Sequence, residues 1–247
     1  MKLSPQTIAV LSNFSGINSN LVFREGSEIR TLSPTMEIYA KATIPEEFPT
    51  NFQIYDLNEF LGVMNMFTEP DITFLENYLS IRSESTSVKY HYGDLDVFMP
   101  KKDVYKLKVP SYNPDVSFTL KQTDLQNLHK ACRLLRTDKI LFESKTDTKL
   151  LAKVEDPSNP LSNSYAIEMD CEIETEGSTF KFVYDASHLK LIAGDYKVSF
   201  SGSGKAPVSL FVLDGVEGYG VEYFIAPNTA SKFSLGEAQE EQEDPPF

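Results

Sequence analysis

The chain has 247 residues, 41% of them hydrophobic and 24% charged, and a formal net charge of −13. Such a composition belongs to a globular protein with a sizeable core and excludes a disordered chain. No apolar run approaches the ~18 residues of a membrane span. The acidic total argues against indiscriminate coating of nucleic acid while leaving local contact open, because binding depends on where charge lies.

The N-terminal stretch MKLSPQTIAVLSNF lacks the long apolar region and cleavage site of a secretory leader, so it reads as structure and the protein as cytosolic. Ser4 as N-cap and Pro5 at the first helical position predict a helix there, with Ile8, Leu11 and Phe14 at helical spacing. NLVFREGSEIRTL reads as a hairpin turning at Glu25–Gly26, and TMEIYAKATI as a strand. A second helix is expected from Asp56, with Leu57, Phe60, Leu61 and Met64 on one face. Several antiparallel strands follow through ITFLENYLSIRSESTSVKYHYGDLDVFM, and the proline- and lysine-rich FMPKKDVYKLKVPSYNPDV reads as an extended linker.

The second half repeats this style. A third helix lies in KQTDLQNLHKACRLLR, residues 121–136, capped by Thr123 or Asp124. Strands follow in KILFESKTDTKLLAKV, SYAIEMDCEI and TFKFVYD, then a fourth helix over Asp185–Ile192, then further strands. Helix starts recur from Ser4 to Asp124 and from Asp56 to Asp185, at about half the chain length, which predicts two similar domains. The expected division is 1–105, a connector 106–114, and 115–236. The remainder, 237–247, reads as an acidic tail holding Glu237, Glu240, Glu241, Glu243 and Asp244.

Catalytic motifs are poor. His91, His129 and His188 fall in separate elements, and Cys132 and Cys171 read as buried thiols, not as a disulfide or metal pair. SGSGKAPV departs from a phosphate-binding loop: Ser199 stands where the first glycine belongs, Ala206 follows Lys205, and PVSLFV reads as a strand. No catalytic residue, metal ligand or cofactor is expected.

The third helix is more informative. Lys121, Lys130, Arg133 and Arg136 stand against the single acid Asp124 in an otherwise acidic protein. At 100° per residue Leu125, Leu128, Cys132 and Leu135 form one face, and Gln126, Lys130 and Arg133 the opposite one. Basic outer faces on repeated helices suit a surface that meets phosphates without reading sequence.

An ordered set of segments spans nearly the whole chain: MKLS, NF…INS (13–19), IYDLNEFLG (54–62), DLQNL…R.L..D.I (124–140), KVED (153–156), GDYK (194–197) and GK (204–205). In that set the chain resembles the sliding clamps, the DNA polymerase processivity factors, of T-even-type bacteriophages. The resemblance implies an α+β DNA-clamp fold: two similar domains, each with two helices packed on antiparallel β-sheets, and three subunits closing into a ring around double-stranded DNA. It places Lys130, Arg133, Lys190 and Lys205 toward the duplex; Lys121 and Arg136 are added on charge alone. It implies as partners the phage DNA polymerase, an ATP-driven clamp loader, late-transcription factors and two further copies of the chain, in the cytoplasm of the infected host and without a membrane. A partner-peptide pocket is expected around Tyr105, Leu107, Val109 and Tyr112, with Ile225 and Pro227. The first-domain helices depart from a basic lining: their outer faces offer Gln6, Asn13, Asn58 and Asn65. Two weaker alternatives are a β-rich hydrolase using Glu155, Asp156 and Asp214, which lacks a base, nucleophile or metal set, and a virion structural or adaptor protein.

Overall fold

The computed structural model describes residues 1–93, 103–107, 113–159, 161–202, 207–215 and 218–236. The chain forms two compact units, each assembled from separate stretches. The first comprises Met1–Ser111, Lys190–Gly194 and Phe211–Ile225; the second comprises Tyr112–Leu189, Asp195–Leu210 and Ala226–Phe247.

In the first unit, helix α1 (Pro5–Ser15) starts where the sequence places it: the Ser4 hydroxyl accepts from the Thr7 amide, and Pro5 occupies the first turn. A second acceptor comes from a distant strand, since Glu46 takes the Ser4 amide and the Thr7 hydroxyl. Strand β1 (Leu21–Phe23) does not form the expected hairpin with β2 (Gly26–Leu32). Strand β2 pairs with β3 (Ile38–Phe48), whereas β1 pairs with β4 (Phe52–Ile54) in a separate sheet. The cause lies in burial: all three residues of β1 are buried, so it sits in the core instead of alternating with β2. Its Phe23 stacks on Phe52 with ring centroids 4.3 Å apart, and Phe48 and Phe74 close the cluster.

Asp56 caps α2 (Leu57–Met64) through the amides of Asn58 and Glu59, and Leu57, Phe60, Leu61 and Met64 are buried as the spacing predicts. Strands β5 (Asp71–Phe74), β6 (Tyr78–Ser83) and β7 (Thr86–His91) form an antiparallel sheet. A short 3-10 turn follows at Val104–Lys106.

The second unit opens with β8 (Val116–Leu120) and α3 (Gln122–Leu135). Strands β9 (Lys139–Thr146), β10 (Lys149–Val154) and β11 (Tyr165–Asp170) follow, then β12 (Glu172–Ile173) and β13 (Thr179–Asp185). Strand β14 (Tyr196–Ser201) pairs with β8, and β15 (Val208–Leu213) carries the chain back to the first unit. There β16 (Gly220–Ile225) pairs with β3; β17 (Lys232–Ser234), in the second unit, pairs with β13. One antiparallel sheet of this unit runs in the order β11-β10-β9-β13-β17, and α3 packs across β9, β10 and β11. Phe118, Phe142, Phe182 and Phe200 fill the core, with Phe182 and Phe200 rings 4.6 Å apart. Each buried phenylalanine contributes about 2–3 kcal/mol of hydrophobic stabilisation.

The fourth expected helix is a single 3-10 turn, Ala186–Leu189. The Ala186 amide donates to the Asp138 carbonyl, and of the turn's residues Leu189 alone is buried. One buried side chain cannot anchor a longer helix whose nucleation is itself costly.

Candidate nucleic-acid interface

Helix α3 buries Leu125, Leu128, Ala131 and Cys132 against the sheet; Leu135, expected on that face, is half-buried. Neither Thr123 nor Asp124 caps it. The cap position is Lys121, whose side chain accepts nothing, and the Gln122 amide instead donates to Asp195 Oδ1 at 2.8 Å, from just before β14. Asp124 in the first turn and Arg133 in the last complement the helix dipole.

The outer surface of α3 carries the predicted charge. Lys121, Lys130, Arg133 and Arg136 are all exposed. Arg136 lies just beyond the helix, as a left-handed C-cap at φ 56° whose amide donates to the Cys132 carbonyl. Among the described residues, none of these four side chains forms an ion pair. That sets them apart from other cations of the same unit. Lys145 pairs with Glu168, Lys149 with Asp170, Lys153 with Glu143, Lys181 with Glu155, and Lys139 with Asp185.

Arg133 and Arg136 border an open groove of about 510 Å³ with Asp138, Lys139, Asp156 and Ser158. Lys139 is held by Asp185 and Asp138, leaving the two arginines as its free cations. Asp156 turns back on its own loop: hydrogen bonds from Ser158 hold its carboxyl below the usual range. At the other end of α3, Lys121 shares a groove of about 640 Å³ with Asp124, Asp170, Glu172 and Lys197. Its charges are mixed, so it is not a simple anion cradle. Lys197 was missed as a candidate although it closes the GDYK segment. Leu134 was missed too; it is 71% exposed and neighbours Lys130 along the helix surface.

Of the remaining candidates, Lys190 belongs to the first unit and is exposed, with its carbonyl fixed by Asn13 Nδ2 at 2.8 Å. Asn13 Oδ1 also accepts from the Tyr223 hydroxyl, so Asn13 is tied into that unit and is not the free outer-face residue expected. Gln6, Asn58 and Asn65 are exposed. Lys205, Val109 and Tyr112 lie outside the described residues.

Tyr105 is half-buried, and the guanidinium carbons of Arg24 and Arg30 stand 5.7 and 5.4 Å from its ring centroid. Its hydroxyl donates to the Val22 and Glu28 carbonyls, and burial pushes its pKa up to about 12. Ile225 is fully buried opposite Ile38. Leu107 in the first unit and Pro227 in the second are half-buried.

Glu155 pairs with Lys181, and His129 Nε2 lies 3.0 Å from the Leu189 carbonyl. Among the described residues no group of three or more His, Cys, Asp or Glu could hold a metal ion. Burial pushes the thiols of Cys132 and Cys171 up, and both are free. No helix of the described residues is long and apolar enough to cross a membrane.

Comparison with known proteins gives the same architecture. The family model of DNA polymerase processivity factors matches residues 2–95, and that of the gp45 sliding clamp, C-terminal part, matches residues 117–229. The sliding clamp of Vibrio phage KVP40 is 30% identical over 230 residues, covering 92% of this chain and 98% of its own. That of Escherichia phage RB69 is 30% identical over 234 residues, covering 92% and 96%. Among solved structures, the PCNA of Thermococcus kodakaraensis superposes with a TM-score of 0.66 at 19% identity, covering 90% of this chain and 95% of that one. The A. fulgidus PCNA, solved with the C-terminal region of FEN-1 bound, gives 0.66 at 14% identity, covering 91% and 96%. The fold is the α+β DNA-clamp fold, and the chain belongs to the bacteriophage sliding clamp family of DNA polymerase processivity factors.

Proposed function

We propose that this sliding clamp closes, as three head-to-tail copies, into a ring around duplex DNA, and that α3 turns its outer face to the phosphate backbone. The observation that carries the reading is the row of exposed cations Lys121, Lys130, Arg133 and Arg136, unpaired among the described residues of an acidic protein. A cation without a carboxylate partner is free to replace the counterions of DNA. Lys190 and Lys205 complete the proposed set, with less support than the helix. The first-unit helices α1 and α2 carry no basic residue and would contribute a polar lining only. A weak, salt-sensitive grip suits a ring that holds DNA by topology and slides.

Within this reading residues 1–105 and 115–236 are the two clamp domains, joined by a connector at 106–114 and followed by the tail at 237–247. Closure between copies needs an open strand edge, and β11 is outermost in its sheet with Tyr165 exposed. The work of the ring is mechanical, not enzymatic: it tethers the phage polymerase, while an ATP-driven loader opens and closes it in the cytoplasm of the infected host. Late-transcription factors are further clients. Partners dock short segments, as the FEN-1 C-terminal region does on the archaeal protein. Leu107 and Tyr105 of the first unit, and separately Pro227 of the second, are the described candidates for such a contact, with Ile225 fully buried.

Solution mass by light scattering, with primer extension on a singly primed template, tests the proposal. Three subunits at high concentration and long extension products are expected. A species that stays monomeric at high concentration would overturn the ring.

A further inference from the structure

The acidic residues 237–247 and the unpaired cations of α3 belong to the same unit, and three observations bring them together. The first is charge. That stretch holds Glu237, Glu240, Glu241, Glu243 and Asp244 and no lysine or arginine. Helix α3 offers Lys121, Lys130, Arg133 and Arg136 without ion-pair partners among the described residues, whereas Lys145 and Lys149 are already held by Glu168 and Asp170.

The second is place. Gly236 is fixed where the stretch begins: its amide donates to Ser178 Oγ, and it packs so closely on Glu176 and Gly177 that a side chain would not fit. Gly177 in turn donates to Asp147 Oδ1, and Cys171 to the Thr148 carbonyl. Lys121 shares its groove with Asp170 and Cys171. Gly236 and the N-terminal end of α3 therefore lie at the same end of the five-stranded sheet. The far end of the helix lies at Glu155, whose carbonyl accepts from Thr137.

The third is reach. Strand β17 is three strands from β10 in the sheet order, a lateral offset of roughly 14 Å. Eleven extended residues span up to about 36 Å, and a helix of 14 residues is about 21 Å long. The last acid, Asp244, lies eight residues beyond Gly236, about 26 Å extended, so the stretch is long enough to bring carboxylates to Lys121 and on toward Lys130.

We infer that residues 237–247 dock along the outer face of α3 in the unloaded clamp and compete with DNA for its cations. The inference rests on α3 being the DNA-facing helix. Tethering sets an effective concentration near the millimolar range, enough to make individually weak ion pairs count. Duplex DNA, with one charge per ~1.7 Å, displaces the stretch once it is threaded. The docked segment thus suppresses stray binding by free clamps without weakening the loaded ring.

Zero-length carbodiimide coupling of the full chain, mapped by mass spectrometry, tests docking without DNA. The expected amides join Glu237–Asp244 to Lys121 and Lys130, and they disappear at high salt. Coupling only to the adjacent Lys232 would overturn the docking. Competition is read by short-duplex anisotropy at low salt on four proteins: intact, lacking 237–247, carrying Lys130→Gln, Arg133→Gln and Arg136→Gln, and both combined. Deletion should tighten binding roughly three- to tenfold in the intact helix background only. Equal affinity with and without the stretch, or the same gain in the neutralised helix, sinks the competition. If neutralising α3 leaves binding unchanged in both backgrounds, the DNA-facing reading itself fails, while the coupling result still decides docking.

Discussion

Two sets of cations in the second unit carry the same charge in different surroundings. On the five-stranded sheet Lys145, Lys149, Lys153 and Lys181 each meet a carboxylate of the sheet or of the residue just beyond it. Lys153 and Glu143, for example, approach to 2.6 Å. On α3, Lys121, Lys130, Arg133 and Arg136 face no such partner among the described residues. The comparison teaches that a net charge of −13 says little about where a polyanion lands. What matters is which positive charges the fold leaves uncompensated.

The sharpest way to break this contrast is to reverse the helix set. Lys130→Glu, Arg133→Glu and Arg136→Glu together should cut duplex affinity by about a thousandfold or more at low salt. The slope of log affinity against log salt should fall by about 3 per subunit, and polymerase processivity should collapse. Stability should fall by only about 1–2 kcal/mol, from carboxylates set against the C-terminal end of the helix dipole, because all three side chains are exposed. Retained processivity at moderate salt would make these cations ordinary surface.

A second contrast opposes the helix starts of the two units. Helix α3 begins at a lysine, whereas α1 begins under the Glu46 carboxylate, which accepts from Ser4 and Thr7. Burial alone would push the Glu46 pKa up; the hydrogen bonds outweigh it and hold the pKa below the ordinary 4.5. A depressed carboxylate contributes stability that is full above its unfolded pKa and lost as pH falls through the folded one. Glu46→Gln should therefore cost about 1 kcal/mol at neutral pH, and the gap should close on acidification below the ordinary carboxylate range. Urea melts at pH 7 and pH 3 check this; an equal gap at both would assign the loss to packing.

How much of this was legible in the sequence follows from what each signal depends on. Ser4–Pro5 and Asp56 fixed two helix starts because an N-cap acts on amides two or three residues away. The α3 start escaped because its acceptor, Asp195, lies 73 residues on. The hairpin at Glu25–Gly26 failed because both strands are apolar enough to pair, and only burial of all three β1 residues sends that strand to β4. The turn after Asp185 looked helical because Leu189 and Ile192 sit three apart, but only Leu189 is buried. Lys130 and Arg133 were readable from periodicity, Lys121 and Arg136 from charge alone; their lack of partners among the described residues was not, since pairing across strands requires the register. The surroundings of Tyr105 were hidden for the same reason: Arg24 and Arg30, whose guanidiniums approach its ring, are over seventy residues away.

The paired set offers a smaller effect. Lys153→Gln removes one cross-strand ion pair, and exposed or half-buried pairs of this kind contribute about 0.2–1 kcal/mol. Stability should drop by that amount and weaken less at high salt, while DNA affinity stays within about twofold. A larger loss of affinity than α3 substitutions give would place the DNA on the sheet face and reverse the comparison.

The smallest expected effect is also the most pointed. Arg136 holds φ at 56°, a left-handed conformation that costs a residue with a Cβ roughly 1–2 kcal/mol and costs glycine little. Glycine is the common solution at helix C-termini, so the arginine side chain sits at a position where the backbone alone would favour its removal. Arg136→Gly should raise stability by a few tenths to about 1 kcal/mol, once glycine's greater unfolded-state freedom is set against the relieved strain. The same variant should weaken duplex binding by a few-fold and lower the salt slope by about 1 per subunit. Opposite signs for stability and affinity would show that the fold tolerates strain there to keep a cation on the outer face. A variant that gains stability and loses no affinity would remove Arg136 from the DNA-facing set and end that set at Arg133.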